Sequence, residues 1–167
     1  MKNIILIGMP GCGKTTIGKK LAKELNCDFF DSDQVFVDEA KITISEFFDA
    51  YGESQFRDKE TSIIRQLSQK SGCVIATGGG VVERAENKEI LQNGNIVVFI
   101  NRSPEDIFRN INTSTRPLIA NDRNRIFSLY KRRISKYRDF CHIEIENSGP
   151  FRLLTEKIIN EVNSYNG

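Results

Sequence analysis

The chain has no CxxC pair among its four cysteines, Cys12, Cys27, Cys73 and Cys141, and three of them adjoin or lie in apolar runs. That argues against a zinc site or a disulfide framework and for buried free thiols in a reducing compartment. No apolar run approaches the roughly 18 residues of a membrane span, and Ile4–Ile7 is too short for a signal-peptide core. A cytoplasmic protein is expected, without a membrane partner. There is little charge of one sign: the net charge is +2 across 167 residues. A dedicated nucleic-acid binder is therefore not expected, although a few placed cations suffice for a small anion. Internal repeats, low-complexity stretches and long linkers are also lacking. A hydrophobic content of 39% and a charged content of 28% fit one compact domain over residues 1–167.

What is present is an alternation of short apolar runs with helix-period segments. Asn3–Ile7 reads as a buried strand. Lys14–Leu25 carries Ile17, Leu21 and Leu25 at a spacing of four and reads as a helix. Further strands are expected at Cys27–Phe30, Cys73–Ala76, Asn95–Ile100 and His142–Ile145. Gln34–Tyr51 reads as two short helices. Longer helices are expected at Glu53–Lys70, Glu83–Gln92, Arg123–Phe140 and Phe151–Tyr165, and one begins at Ser103-Pro104, a cap followed by proline. Residues 112–122 are polar and aperiodic and read as a mobile lid. Strands alternating with helices predict a three-layer α/β/α P-loop fold around a five-stranded, mostly parallel sheet. Ligands of such sheets sit beyond the carboxyl ends of the strands.

The strongest chemical signal is Gly8-Met9-Pro10-Gly11-Cys12-Gly13-Lys14-Thr15, a full G-x4-GK[ST] between a strand and a helix. Its backbone from Gly11 to Thr16 is expected to cradle the phosphates of a nucleoside triphosphate. Lys14 would reach the β- and γ-phosphates and the Thr15 hydroxyl a magnesium ion. Asp31-x-Asp33 follows the second strand. One carboxylate can hold Mg²⁺ through water, and the other can orient an acceptor hydroxyl and take its proton. Gly78-Gly79-Gly80 follows the third strand and lets a ligand approach the backbone. Arg57, Arg116 and Arg133 stand among 24 lysines and arginines, so spacing alone does not select them. These residues describe a phosphate-binding protein, and both a small-molecule kinase, such as one for gluconate or nucleoside monophosphates, and a GTP-driven switch remain open. The switch would want a guanine-reading Asn-Lys-x-Asp, and Asn87-Lys88-Glu89-Ile90 lacks the aspartate.

Five short motifs in this order make the chain resemble the shikimate kinase family: Asp31-Ser32-Asp33, Gly52-Glu53-x-x-Phe56-Arg57, Thr77-Gly78-Gly79-Gly80, Arg116-Pro117-Leu118 and Arg133-x-x-x-Tyr137. The resemblance implies transfer of the γ-phosphoryl of ATP to the 3-hydroxyl of shikimate, a step of aromatic amino-acid biosynthesis, with Mg²⁺ as cofactor. It implies that Asp33 binds the ring hydroxyls and acts as base, and that Asp31 supports Mg²⁺ beside Thr15. It implies that Arg57 and Arg133 clamp the carboxylate with Gly78–Gly80 alongside, and that Phe48 and Phe56 wall the ring. Arg116 would reach the phosphates from the lid, and Arg109 and Pro150 would flank the adenine. The acceptor segment would span about residues 33–60, and the protein would be a monomer. Two positions depart from the family pattern: Cys141 stands at a usual alanine, and Leu118-Ile119 at a usual Leu-Leu.

Overall fold

The computed structural model describes the backbone of residues 1–113 and 120–166, and the side chains of all these except 111–113 and 120–122. Five parallel strands form one sheet in the order β2-β3-β1-β4-β5. They are β1 (Asn3–Ile7), β2 (Phe29–Asp31), β3 (Val74–Ala76), β4 (Asn95–Asn101) and β5 (Ile143–Glu146). The helices are α1 (Lys14–Glu24), α2 (Ser32–Ala40), α3 (Ile44–Ser68), α4 (Glu86–Gln92), α5 (Pro104–Thr113), α6 (Ala120–Phe140) and α7 (Phe151–Ser164). Right-handed crossovers put α1 on one face and α3, α4 and α6 on the other. Accordingly α1 packs with α7, and α4 packs with both α3 and α6. The expected three-layer α/β/α architecture is the one observed.

The apolar runs became strands because a sheet covered on both faces buries every position. All five residues of β1 are buried, and β1 lies between β3 and β4 with Ile4 beside both Val74 and Ile96. Ile17 and Leu21 close one face over it, and Ile63, Ile64 and Leu67 from α3 are equally buried. Among the described residues no helix is long and apolar enough to cross a membrane. All four cysteines are free, Cys12 and Cys73 buried.

Local chemistry sets most boundaries. Thr43 and Glu46 cap α3 reciprocally: the Thr43 N–H donates to Glu46 Oε2 at 2.8 Å, and Thr43 Oγ1 accepts from the Glu46 N–H at 3.2 Å. Gly52, at φ 79°, interrupts α3 between its two halves. Ser103 Oγ accepts from the Asp106 N–H at 3.1 Å, the expected cap of α5.

Three expectations shift. The second strand begins at Phe29 rather than Cys27, because the Cys27 N–H still donates to Ala22 O at 3.0 Å and belongs to the end of α1. Glu83–Gln92 is not one helix. Val81–Glu83 is a 3-10 turn, Arg84 is extended at φ −108°, and α4 starts at Glu86. Arg84 leaves the helical path to pair with Asp58 at 2.6 Å and Glu86 at 3.2 Å. Asn112 and Thr113 close α5, and Ala120–Asp122 open α6, so helix enters the expected aperiodic stretch from both ends. Residues 114–119, with Arg116, Leu118 and Ile119, lie outside the described residues.

Asn3 holds the bottom of the sheet together. It is 2% exposed, and its Nδ2 donates to Lys70 O at 2.6 Å and Asn95 Oδ1 at 2.8 Å, while its Oδ1 accepts from the Cys73 N–H at 3.1 Å. Asn3→Ala would strand these buried partners and is expected to cost about 2–4 kcal/mol. The shift in the urea-unfolding midpoint measures it.

Candidate active site

The turn after β1 is shaped by glycines. Gly13 sits at φ 100°, where a side chain is strained, and it opens α1 with no side-chain cap. The N–H groups of Lys14, Thr15 and Thr16 therefore have no partner within the helix and, with the helix dipole, favour an anion. Lys14 is 8% exposed, and its Nζ donates to Gly8 O at 2.8 Å and Met9 O at 2.9 Å. The Cys12 carbonyl accepts from Asn147 Nδ2 at 2.8 Å, across 135 residues of chain. The carbonyls of Gly8, Met9 and Cys12 are thus each satisfied by a side-chain donor. Pro150 is the N-cap residue of α7, which adjoins the loop: a Cβ on Gly13 would lie 3.5 Å from the Phe151 ring.

The carboxyl end of β2 brings Asp31 and Asp33 to the same edge. Asp31 accepts from Thr15 Oγ1 at 2.7 Å and from the Asp33 N–H at 3.0 Å, so it joins the phosphate loop to the start of α2. Asp33 reaches solvent through the open cleft, yet the protein around its carboxyl and the Asp31 charge raise it above the ordinary aspartate value of 3.8. Lys14 and Arg57 pull the other way without cancelling that rise.

Two arginines complete the edge. Arg57 Nη1 donates to Glu60 Oε2 at 2.7 Å, while its Nε is buried without a hydrogen-bond partner. Burial raises the Glu60 carboxyl, and Arg57 opposes that. Arg133 is 7% exposed and donates through Nε to Glu83 Oε1 at 2.5 Å. Between these arginines run the three glycines after β3. A Cβ on Gly78 would stand 2.7 Å from Asp33 Oδ1, one on Gly79 would meet Pro10 at 2.5 Å, and one on Gly80 would collide with the Arg57 guanidinium. The Gly79 carbonyl accepts from Tyr137 Oη at 2.6 Å. A cleft of about 670 Å³ opens beside them, lined among others by Pro10, Phe48, Arg57, Leu129 and Arg133. The rings of Phe48 and Phe56 lie 5.3 Å apart.

A site with a phosphate cradle, a carboxylate of raised affinity for protons and two arginines suits transfer of a phosphoryl group to an anionic alcohol. Known proteins agree. The family model for shikimate kinase matches residues 10–163. A shikimate kinase from Clostridium botulinum is 44% identical over 159 residues, covering 95% of this chain and 96% of that one. Another from Thermodesulfovibrio yellowstonii is 43% identical over 166 residues, covering 96% and 95%. The chain belongs to the shikimate kinase family. Among solved structures, the Acinetobacter baumannii shikimate kinase in complex with shikimate superposes with a TM-score of 0.90 at 36% identity, covering 98% of this chain and 94% of that one. A gluconokinase from Sinorhizobium meliloti, at a TM-score of 0.64 and 15% identity, shares the fold alone.

Set against the motifs of the shikimate kinase family, Lys14, Thr15, Asp31, Asp33, Arg57, Gly78–Gly80 and Arg133 come together at one edge of the sheet. Phe48, 37% exposed, lines the cleft, and Phe56, 6% exposed, packs behind it between Phe48 and Phe36. Arg109 stands on α5 in solvent, paired with Asp106 at 3.2 Å. Cys141 is half-buried, its thiol 3.6 Å from the Arg138 carbonyl, and fits where the family pattern has alanine. Sequence reading missed Ser32, Glu60, Glu83 and Asn147. Ser32 Oγ accepts from the Gly78 N–H at 3.0 Å. Glu60 had a signal, since Arg57 and Glu60 are three apart on a helix and must be neighbours. Asn147 had none, because its partner lies at the other end of the chain.

Asn147 is 4% exposed and supplies a hydrogen bond that the inward-turned loop needs. Asn147→Ala should lower stability by about 1–3 kcal/mol, read by urea unfolding, because the Cys12 carbonyl is left buried and unpaired.

Proposed function

We propose that the protein is an ATP-dependent shikimate kinase, forming shikimate 3-phosphate and ADP. The observation that carries the reading is the convergence of phosphate loop, Asp33 and two arginines around Gly78–Gly80. In this reading the backbone of Gly11–Thr16, with Cys12 contributing main chain, wraps the β-phosphate. Lys14 leaves the carbonyls of Gly8 and Met9 for the β- and γ-phosphates. Arg57 and Arg133 grip the shikimate carboxylate, and Arg57 Nε, which makes no hydrogen bond and stands 3.8 Å from Glu53 Oε1, supports that role. Phe48 and Phe56 wall the ring, and Gly78, Gly79 and Gly80 let it approach the backbone. Asp33 accepts the proton of the 3-hydroxyl as its oxygen bonds to the γ-phosphorus and the bond to the β–γ bridging oxygen breaks. Arg116, in the lid, adds charge at the phosphates, and Arg109 and Pro150 flank the adenine.

Thr15 and Asp31 offer hard oxygen ligands, the kind magnesium takes. No cluster of three or more His, Cys, Asp or Glu forms a metal site among the described residues. Thr15 would ligate the ion directly and Asp31 through water, the Thr15 hydroxyl and Asp31 carboxylate lying 2.7 Å apart. When bound, the ion neutralises charge on the transferring phosphoryl group. The protein acts as a cytoplasmic monomer, independent of nucleic acid and membrane.

Two predictions follow from these roles. A base must be ionised, so turnover should fall as pH drops through the Asp33 value, with the acid limb above pH 3.8. Because the folded state raises that value, the fold binds the Asp33 proton more tightly than the unfolded chain does. Stability from this group is thus lost, not gained, as pH rises through it. Asp33→Asn should therefore lower turnover by roughly 10²–10⁴, remove that acid limb and leave ATP affinity and fold intact. Collapse of ATP binding with turnover retained would exchange the roles of Asp33 and Asp31. The second concerns the clamp. Arg57→Ala and Arg133→Ala should each weaken shikimate binding about 10- to 150-fold with ATP binding near normal, since charged hydrogen bonds are lost. Lysine at either position should recover little, because the fork is lost. Calorimetric titration decides, and parental shikimate affinity in both variants would move the acceptor elsewhere.

A further inference from the structure

Glu83 lies outside every motif above, yet it is the most heavily paired carboxylate near the cleft. It ends the 3-10 turn that follows Gly78–Gly80. Its Oε1 accepts from Arg133 Nε at 2.5 Å and Arg132 Nη2 at 3.2 Å, and its Oε2 from Lys136 Nζ at 2.9 Å. We propose that Glu83 is a positioning residue for acceptor recognition, fixing Arg133 in its binding orientation before shikimate arrives. The proposal rests on the reading of Arg133 as a carboxylate clamp.

The contact is made through Nε, at one edge of the guanidinium plane. That edge is not one of the two terminal nitrogens, the fork suited to a planar carboxylate, although the Tyr137 hydroxyl also interacts with the Arg133 guanidinium and shares in holding it. Arg133 has only 8% of its side chain exposed, so it has little room to reorient once that edge is held. One carboxylate faces three cations, which leaves a net charge of +2 on the cluster. Glu83 therefore orients Arg133 without cancelling its attraction for an anion. Burial pushes the Glu83 carboxyl up, but the bonds from Arg133 and Lys136 outweigh it and bring it down to about 2, so it is ionised at any working pH. A long side chain ordered in advance loses less freedom on binding, and that saving appears as acceptor affinity.

A mere staple between the turn and α6 would act on stability alone, and Lys136 would share in it. A double-mutant cycle separates the two. Glu83→Ala, Glu83→Gln, Lys136→Ala, Arg133→Ala and the Glu83→Ala/Arg133→Ala pair are titrated calorimetrically with shikimate and with ATP, each checked for folding by circular dichroism. Both Glu83 variants should raise the shikimate Kd roughly 5- to 50-fold and leave ATP within about twofold. Glu83→Gln keeps the shape should the alanine variant not fold. In the Arg133→Ala background, loss of Glu83 should add nothing, and Lys136→Ala should bind shikimate like the parent. The proposal is overturned by multiplying effects in the pair, by parental shikimate affinity in Glu83→Gln, or by equal loss in Lys136→Ala. Should Arg133→Ala itself bind shikimate normally, the clamp reading fails and this one with it. If Arg133→Ala is impaired and Glu83→Gln is not, only this one fails.

Discussion

The carboxyl edge of the sheet depends on where the loop after β1 sends its carbonyl groups. An anion cradle needs several N–H groups turned inward, and every N–H turned inward swings a neighbouring C=O outward into protein, where it must find a donor. Lys14 Nζ serves Gly8 and Met9, and Asn147 Nδ2 serves Cys12. The first donor is one that phosphate would claim. The second comes from the turn between β5 and α7 and stays in place. If Lys14 turns to phosphate as proposed, Met9 O keeps the Cys12 N–H at 3.2 Å and Cys12 O keeps Asn147, so the loop need not collapse.

The same edge solves a charge problem. Asp33, Glu60 and Glu83 all lie close to cations, but their environments push them in opposite directions. Burial and Asp31 raise Asp33 against Lys14 and Arg57, whereas Arg133 and Lys136 bring Glu83 down to about 2 against its burial. One carboxylate is left able to take up a proton, and the other is committed to holding an arginine. Each arginine of the proposed clamp has its own carboxylate, Glu60 for Arg57 and Glu83 for Arg133. Mutual pairing of the charged groups leaves the cleft cationic, as a carboxylate ligand requires.

The sequence made the frame legible because the frame is local. A strand buried on both faces is a run of apolar residues, as at Ile4–Ile7, and the Thr43–Glu46 capping box is written in four consecutive residues. The phosphate loop is likewise contiguous. What the sequence hid depended on contacts between distant segments. Arg84 breaks an expected helix because Asp58, on α3, is waiting for it. Cys27 is drawn into the end of α1 by a carbonyl five residues earlier, where periodicity had placed a strand. Glu83 reads as one more acidic residue until the fold sets α6 beside it. Residue types alone named Arg57 and Arg133 no more than the other 22 basic residues of the 24. Motif resemblance supplied them.

That asymmetry reflects how the two halves are built. The donor half is one turn between β1 and α1, and any sheet of this type can carry it. The proposed acceptor half is assembled from α2, the second half of α3, the loop after β3 and α6, brought close by absent side chains. Gly78, Gly79 and Gly80 pass so near Asp33, Pro10 and Arg57 that a methyl group on any of them would intrude. Without those approaches Asp33, the phosphate loop and Arg57 would each stand further from the same point. Because these groups sit on helices and loops outside the central strands, they can change while the sheet and its phosphate loop do not. The specific chemistry of the site therefore rests on the least local contacts of the fold, and the general chemistry on the most local.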